Sequence, residues 1–457
     1  MNLPNNSSHP ASYRDPSGFI YKHEGVYYRF VHSIYSRHYA YAKECGLFEE
    51  AIKKNLLLNF KETDEQHIPS GAWHTTLLPH QLRFDTYPWE WNFDQLKDAA
   101  LTTLKLCMLA LNKGMILKDA TPLNIRLSGG KMKWIDHLSF EKYKDGEAWI
   151  AYRQFCEMFL NPLLISSYCG MEVHRLAQAY PGGIPAETTA KLLPVKCKLR
   201  LHIQLHVYLQ AGIQRKNKNN KATEKTFTIN KIQRILESLQ SCINSLTLPS
   251  SKIIWSNYYN ETILSKDYLE HKKNVVSHFI QNIPYATVLD AGCNDGTFSL
   301  LCKPEAEIIA ADSDSICINQ LYRRIKQEKL RHILPAVIDL TFPPGGYGWN
   351  NSEYPAFLDR KEYDLVLALA LIHHLCIGKN IPMQKIAAFF DAIATHLVIE
   401  FIPKEDPKVQ EMLYDREDIF DAYTESEFEL CFGVYFIIAA AERIKDSHRK
   451  IYKMKRK

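Results

Sequence analysis

The 457-residue chain has no apolar stretch approaching the ~20 residues that a membrane-spanning helix needs, so no bilayer-crossing helix is expected. Its most apolar run, "DLVLALALIHHLCIG", is broken by two histidines and reads as a buried strand. There is no C-x-x-C pair among its 11 cysteines. Their odd number and irregular spacing argue against a disulfide framework or a zinc site and favour a reducing compartment. Net charge is also scarce: +5 at pH 7 is too little to imply nucleic acid by itself. The one basic concentration, the closing "RIKDSHRKIYKMKRK", is expected to be a solvated helix or frayed tail. The opening "MNLPNNSSHPASYRDPSG" lacks the basic-then-apolar order of a signal peptide. A cytoplasmic location is therefore expected. No internal repeat is visible.

What is present is a globular composition, 46% hydrophobic and 23% charged, long enough for two or three domains. The sharpest composition break is "QRKNKNNKATEKTFT", a lysine- and asparagine-rich stretch that reads as an exposed loop. The expected division is residues 1–212, a linker and connecting helix at 213–250, and 251–457. In the first part, "GFIYKHEGVYYRFVH" predicts two strands around a turn. "FDQLKDAALTTLKLCMLALNKG" predicts a helix, with Asn92 and Gln95 as a capping pair and Gly114 where the chain leaves it. "MILKD" and "KMKWID" are expected as strands flanking the "LSGG" turn, and "AWIAYRQFCEMFLNPLL" as helix.

From Tyr285 the pattern becomes strand, glycine turn, helix, strand. "VLDAGCNDGTFSLL" carries Asp290, Gly292 and Gly296, glycines that let backbone approach a ligand where a side chain would clash. A helix beginning after the turn would offer free N–H groups. Asp312 ends the next strand, "AEIIAAD", at the offset where doubly wound nucleotide sites read ribose hydroxyls. The G-x-G-x-x-G spacing suited to pyrophosphate is missing, and a carboxylate at Asp290 would repel one. The stretch resembles motif I of class I S-adenosylmethionine-dependent methyltransferases, and Asp312 resembles their second-strand acid. That resemblance implies an α/β Rossmann-like domain with a seven-stranded, mostly parallel sheet. It also implies cofactor contacts from Asp290, Gly292, Cys293, Asn294, Gly296, Asp312, Ser313, Asp339 and Ala368. "LPAVIDL" would supply Asp339 to the adenine edge, "YDLVLALALIHHL" the fourth strand and its loop, and "THLVIEFIP" the fifth. His373 is a candidate general base, because a histidine titrates near operating pH. It could equally pack on the cofactor. "WSNYYNETILSKDYLEHKKNVVSHFI" is expected to form a helical cap, with Trp255 and Tyr258 either lining the site or packing the domain.

In the N-terminal half, "LKDATPLNIRLSGGKMKWID" sets Asp119 five residues before Asn124 and twelve more before Asp136. This resembles the catalytic and metal loops of small-molecule phosphotransferases and implies an α+β kinase-like domain. Asp119 would act on an acceptor hydroxyl, and Asn124 and Asp136 would hold magnesium on ATP. The departures are Lys118 before the aspartate, "DHL" in place of D-F-G, and no glycine-rich phosphate loop. They imply a degenerate site unless Mg-ATP binding survives. Over most of its length the chain is similar to bacterial methyltransferases with this extension, including nodulation-related host-specificity proteins. The residues that carry this are "YPWEWNFDQLKDAALTTL", "LKDATPLNI", "WIDHLSFEKY", "AYRQFCEMFLNPL", "VLDAGCNDGTFS" and "LALALIHHL".

The expected activity is methyl transfer to a glycan or small-molecule acceptor. A bifunctional kinase–methyltransferase, an RNA methyltransferase and a non-catalytic S-adenosylmethionine-binding scaffold remain open. The absence of N/D-P-P-[YF] after the fourth strand argues against amino-methylation of nucleic-acid bases.

Overall fold

The computed structural model of the chain describes residues 8–64, 73–82, 84–216, 227–248, 266–415 and 417–457. Trp255 and Tyr258 lie outside the described residues. The chain divides into two units, one of residues 1–251 with 346–355, the other of 252–345 with 356–457.

The first unit begins with strands β1 (Gly18–His23) and β2 (Val26–His32), an antiparallel hairpin as the sequence predicts. With β3 (Phe60–Thr63) and β4 (Trp73–Pro79) it forms a four-stranded antiparallel sheet in the order β1-β2-β4-β3. Helices Ser36–Glu44 and Leu47–Lys53 connect β2 to β3. Helix Phe93–Asn112 starts at a reciprocal cap: Asn92 Oδ1 accepts the Gln95 N–H and Gln95 Oε1 accepts the Asn92 N–H, each at 2.9 Å. It buries Leu96, Ala99, Ala100, Thr103, Leu104 and Cys107, the i, i+3, i+4 stripe of a core-facing helix. Gly114, at φ +72°, turns the chain out of it.

Strand β5 (Met115–Leu117) then leads into the Asp119 loop. "MILKD" does not flank the "LSGG" turn as expected. The hairpin partners are β6 (Ile125–Ser128) and β7 (Lys131–Trp134), joined by Gly129 and Gly130 at φ +59° and +75°. Two successive left-handed residues suit a tight hairpin turn, and the strand before it is "IRLS". β5 pairs instead with β8 (Phe140–Lys142). Helical segments follow from Tyr152 to Cys169. Helix Ile229–Ser245 buries Ile232, Leu236, Leu239 and Ile243. Lys97 Nζ donates to the Asn244 and Leu246 carbonyls near its end. Residues 346–355 complete this unit. Tyr347 and Tyr354 pair through their backbones, Tyr347 stacks on Trp89 with centroids 4.1 Å apart, and Arg14 Nη2 donates to Glu353 at 2.6 Å.

The second unit is built on a seven-stranded sheet. Its strands are β9 (Thr287–Ala291), β10 (Glu307–Asp312), β11 (Ile333–Val337), β12 (Tyr363–Ala368), β13 (Ala394–Phe401), β14 (Phe436–Arg443) and β15 (Lys450–Arg456). The order is β11-β10-β9-β12-β13-β15-β14. Every pairing from β11 through β13 is parallel, and β15 runs antiparallel to both its neighbours. The mixed, mostly parallel sheet is the Rossmann-like architecture expected. The strand order reverses between β9 and β12, and in open α/β sheets ligands bind outside the carboxyl ends of the strands at such a switch point. β9 and β11 are buried at every residue, as strands covered on both faces must be.

Two expectations for this unit are corrected. The basic tail is neither helix nor frayed end. Residues 450–456 form β15, inserted between β13 and β14, with Ile451, Tyr452 and Met454 buried. Lys450, Lys453 and Lys455 are interspersed with these apolar residues and are not themselves buried, which masked the strand. Nor does a helix follow the glycine turn. Only a single 3-10 turn, Ser299–Leu301, forms before β10. Ser299 donates its hydroxyl to Asp290 at 2.6 Å, and Pro304 disfavours helical backbone at the residue before it.

Candidate functional site

Asp290 is placed near the carboxyl end of β9, beside β10 and β12 in register with Ala310 and Leu367. Its side chain is buried, and among the described residues its hydrogen-bond partner is the Ser299 hydroxyl. Burial first, then the nearby Asp312 and Asp295 carboxylates, push its pKa up to about 7 against the help of Ser299. Such a carboxyl gains strongly from an arriving cation. Gly292 and Gly296 both take φ +77°. A side chain at Gly296 would meet Leu321 at 2.6 Å, whereas Leu371 lies 3.4 Å from where a Cβ of Gly292 would stand. Gly296 therefore serves packing, and Gly292 lies directly under the loop that follows β12.

Asp312 ends β10. Its Oδ2 accepts the Asn294 N–H at 2.8 Å and its Oδ1 the Asp314 N–H at 2.9 Å. Burial raises its pKa despite those bonds. Each carboxylate oxygen can accept a second hydrogen bond, so a pair of hydroxyls can still be taken. Asn294, at φ +49°, is the residue whose strained backbone brings its N–H to that carboxylate. Three further N–H groups of the turn are occupied, those of Gly292 and Cys293 by the Ala311 carbonyl and that of Gly296 by the Cys293 carbonyl. The expected free N–H groups of a helix start are thus replaced by a turn closed on β10. Cys293 is buried, and burial raises its thiol pKa well above 9, so it stays protonated. Ser313 follows Asp312 directly. Asp339 lies two residues beyond β11 and accepts the Thr341 N–H and hydroxyl. Ala368 ends β12, paired with Ile399. These residues share the carboxyl end of one sheet. They fit a ligand with a cationic group near Asp290 and a diol at Asp312.

His373 lies in the helical turn that follows the loop after β12 and is fully buried, with neither ring nitrogen hydrogen-bonded among the described residues. Burial first, then the charges of His374, Arg449 and Lys272, hold its pKa well below 6.5. It is a neutral imidazole. A separate cleft of about 540 Å³, lined by Asn274, His278, Tyr285 and Lys303 among others, lies at the amino ends of β9 and β10, away from Asp290.

In the first unit the structure brings Asp119, Asn124 and Asp136 to one place. Asn124 Nδ2 donates to Asp119 Oδ2 at 2.8 Å, and Asp119 is raised by burial and by Asp136. Asp136 is already engaged. Arg29 Nη2 on β2 donates to it at 2.8 Å, as do the Leu138 N–H and the Ser139 hydroxyl. Burial would raise Asp136, but Arg29, Ser139 and Leu138 together hold it below the ordinary carboxylate range. Arg29 also reaches Asp15 at 2.7 Å, and Lys118 donates to Ser17 at 2.8 Å. Among the described residues no group of three or more His, Cys, Asp or Glu side chains is placed to hold a metal ion.

Sequence reasoning missed Arg29, Ser299, Lys272 and Glu400. Ser299 sits nine residues after Asp290, a weak but usable signal. Arg29 and Asp136 are 107 residues apart, and Lys272 and Glu400 are 128 apart. No local pattern announces such pairs.

No family model matches the chain. Among solved structures it is similar to a magnesium protoporphyrin IX methyltransferase from Synechocystis PCC 6803 (18% identity, 44% of this chain and 92% of that one, TM-score 0.32). It is also similar to the N-methyltransferase NodS from Bradyrhizobium japonicum WM9 (13% identity, 42% and 98%, TM-score 0.32). Its whole length is far closer to nodulation protein NoeA of Rhizobium meliloti (strain 1021), at 31% identity over 456 residues, covering 97% of this chain and 95% of that protein. The chain belongs to the family of nodulation protein NoeA.

Proposed function

We propose that the second unit is an S-adenosylmethionine-dependent methyltransferase acting on a small-molecule or glycan acceptor. The observation that carries this reading is a pair of acids, the buried Asp290 and the partly buried Asp312. They stand at the carboxyl ends of adjacent parallel strands, with a Gly292–Gly296 turn between them at the switch point of the sheet. When bound, the cofactor supplies an electrophilic methyl group on a sulfonium. Asp290 balances positive charge, Asp312 accepts the ribose hydroxyls, and Asp339 faces the adenine edge. Gly292 allows the close backbone approach that a Cβ would prevent, and the flanking Cys293, Asn294, Ser313 and Ala368 line the same end of the sheet. Burial and the nearby Arg449 and Lys272 charges oppose protonation of His373, so it serves as a neutral wall of the site rather than as the proton acceptor. Alignment by the walls supplies much of the remaining rate. The sequence after β12 reads "LALIHH", which supports an acceptor other than an exocyclic base amine.

A second reading, of the first unit, is favoured by the Asp119–Asn124 hydrogen bond and by the order sheet, helix, Asp119 loop, hairpin, Asp136. This is the order of parts in kinase-fold enzymes, where a strand cation and two metal ligands surround the nucleotide phosphates. Arg29 and Ser139 occupy the Asp136 carboxylate, which supports a degenerate kinase-like unit over a bifunctional enzyme. Calorimetric titration of the full chain separates these readings. S-adenosylmethionine should bind, and Asp312→Ala should weaken it by about a hundredfold, the loss of two charge-assisted hydrogen bonds. A folded wild-type chain that binds none would overturn the methyltransferase reading. Mg-ATP binding abolished by Asp136→Ala would overturn the degenerate reading of the first unit.

A further inference from the structure

A buried charge cluster underlies the loop that follows β12. Lys272, on helix Lys266–Gln281, places Nζ 2.7 Å from Glu400 Oε2 at the end of β13, with both side chains essentially inaccessible. The same oxygen accepts the Ala370 N–H at 2.7 Å. Its partner Oε1 takes the Tyr268 hydroxyl at 3.2 Å. Tyr268 accepts from Arg449 Nη1, and Arg449 forks onto Asp406 at 2.7 and 3.0 Å. Lys272 also sits 4.9 Å above the Phe298 ring, two residues beyond Gly296. One ammonium thus touches the glycine turn, the end of β13 and, through Glu400, the loop after β12.

Ala370 is the residue that gives this cluster a purpose beyond packing. Its φ is +51°, a left-handed conformation that costs a residue with a Cβ free energy and persists only where surroundings hold it. The next residue, Leu371, is the one lying against Gly292, and His373 is two further on. Replacing a buried ion pair by apolar residues is often neutral for stability, so stability alone does not account for retaining the pair. We propose that Lys272 and Glu400 are positioning residues for methyl transfer. They hold the Ala370 peptide in its left-handed form and thereby set how Leu371 and His373 stand over the cofactor cradle. This rests on the methyltransferase reading above.

The test uses the full chain and removes the anchor without leaving either of its charges unpaired, with Lys272→Met and Glu400→Leu together. Hydrogen exchange of the 369–375 amides, measured without ligand, should accelerate at least tenfold, and S-adenosylmethionine affinity should fall about tenfold. Adding Ala370→Gly, for which φ +51° carries no side-chain strain, should restore most of that affinity. A purely structural role would not be rescued this way. The proposal is overturned if the double variant keeps wild-type exchange and affinity, or if the glycine restores nothing. Absence of binding by the wild-type chain would instead remove the methyltransferase reading, and this positioning role with it. If the double variant fails to fold, Ala370→Gly in the isosteric Glu400→Gln chain, which loses the charge and keeps the side-chain shape, decides by the same rescue, and no restoration there overturns the proposal.

Discussion

The carboxyl of Asp290 makes the free protein's stability fall as pH rises through neutrality. The group's pKa is raised in the folded chain from 3.8 to about 7, chiefly by burial, so the folded state holds this proton more tightly than the unfolded one. Its stabilising effect is full below the unfolded value and is lost as pH climbs through about 7. The rise corresponds to roughly 4 kcal/mol as an upper figure. At ~2–4 °C per kcal/mol for a unit of this size, Asp290→Asn should leave Tm nearly unchanged at pH 4.5 and raise it by up to about 10 °C at pH 8.5. The amide keeps the shape and an acceptor for Ser299 while carrying no charge. Thermal unfolding of wild type and variant from pH 4.5 to 8.5, followed by circular dichroism, reads the difference directly. An equal Tm difference at both ends of that range would refute the assignment of a buried, proton-holding acid. The same variant should weaken S-adenosylmethionine binding most above pH 7, where the wild-type carboxyl is ionised.

Arg29→Met should destabilise the first unit by about 3 kcal/mol, because Asp136 is left without its buried counter-charge. Adding Asp136→Asn should recover most of the loss in denaturant unfolding, and full additivity of the two changes would count against the pairing. Asn92→Ala removes the acceptor for the Gln95 N–H and should cost about 1 kcal/mol, read in the same assay; no change would mean the cap is dispensable. Tyr347→Ala deletes the partly buried ring stacked on Trp89 and should cost about 1 kcal/mol, with a red-shifted tryptophan emission as Trp89 meets water. An unchanged spectrum would show that Trp89 is covered by other residues.

Legibility in the sequence tracked the range of the interactions. The helix Phe93–Asn112 was readable because its stripe, cap and closing glycine are all local. The Asp290–Gly292–Gly296–Asp312 arrangement was readable because one β-turn-β unit contains it. The β15 strand was not, since its four basic residues outnumber its three apolar ones and its place between β13 and β14 is decided by pairing across the whole unit. The missing helix after Gly296 turned on Ser299 bonding back to Asp290, a tertiary choice. The charge partners of Asp136 and Glu400 required the fold itself. The candidate cofactor residues were therefore named from sequence, whereas what neutralises or positions the groups around them was not.

The excursion of residues 346–355 bears on how this protein can be taken apart. The first unit is not a continuous stretch of chain: its Trp89 and Arg14 find Tyr347 and Glu353 from the connection between β11 and β12. A fragment ending at residue 251 would lack those partners, and the second unit could not be copied alone without carrying a foreign piece along. Genetic exchange of either half is thereby discouraged, and the two should be inherited as one gene product.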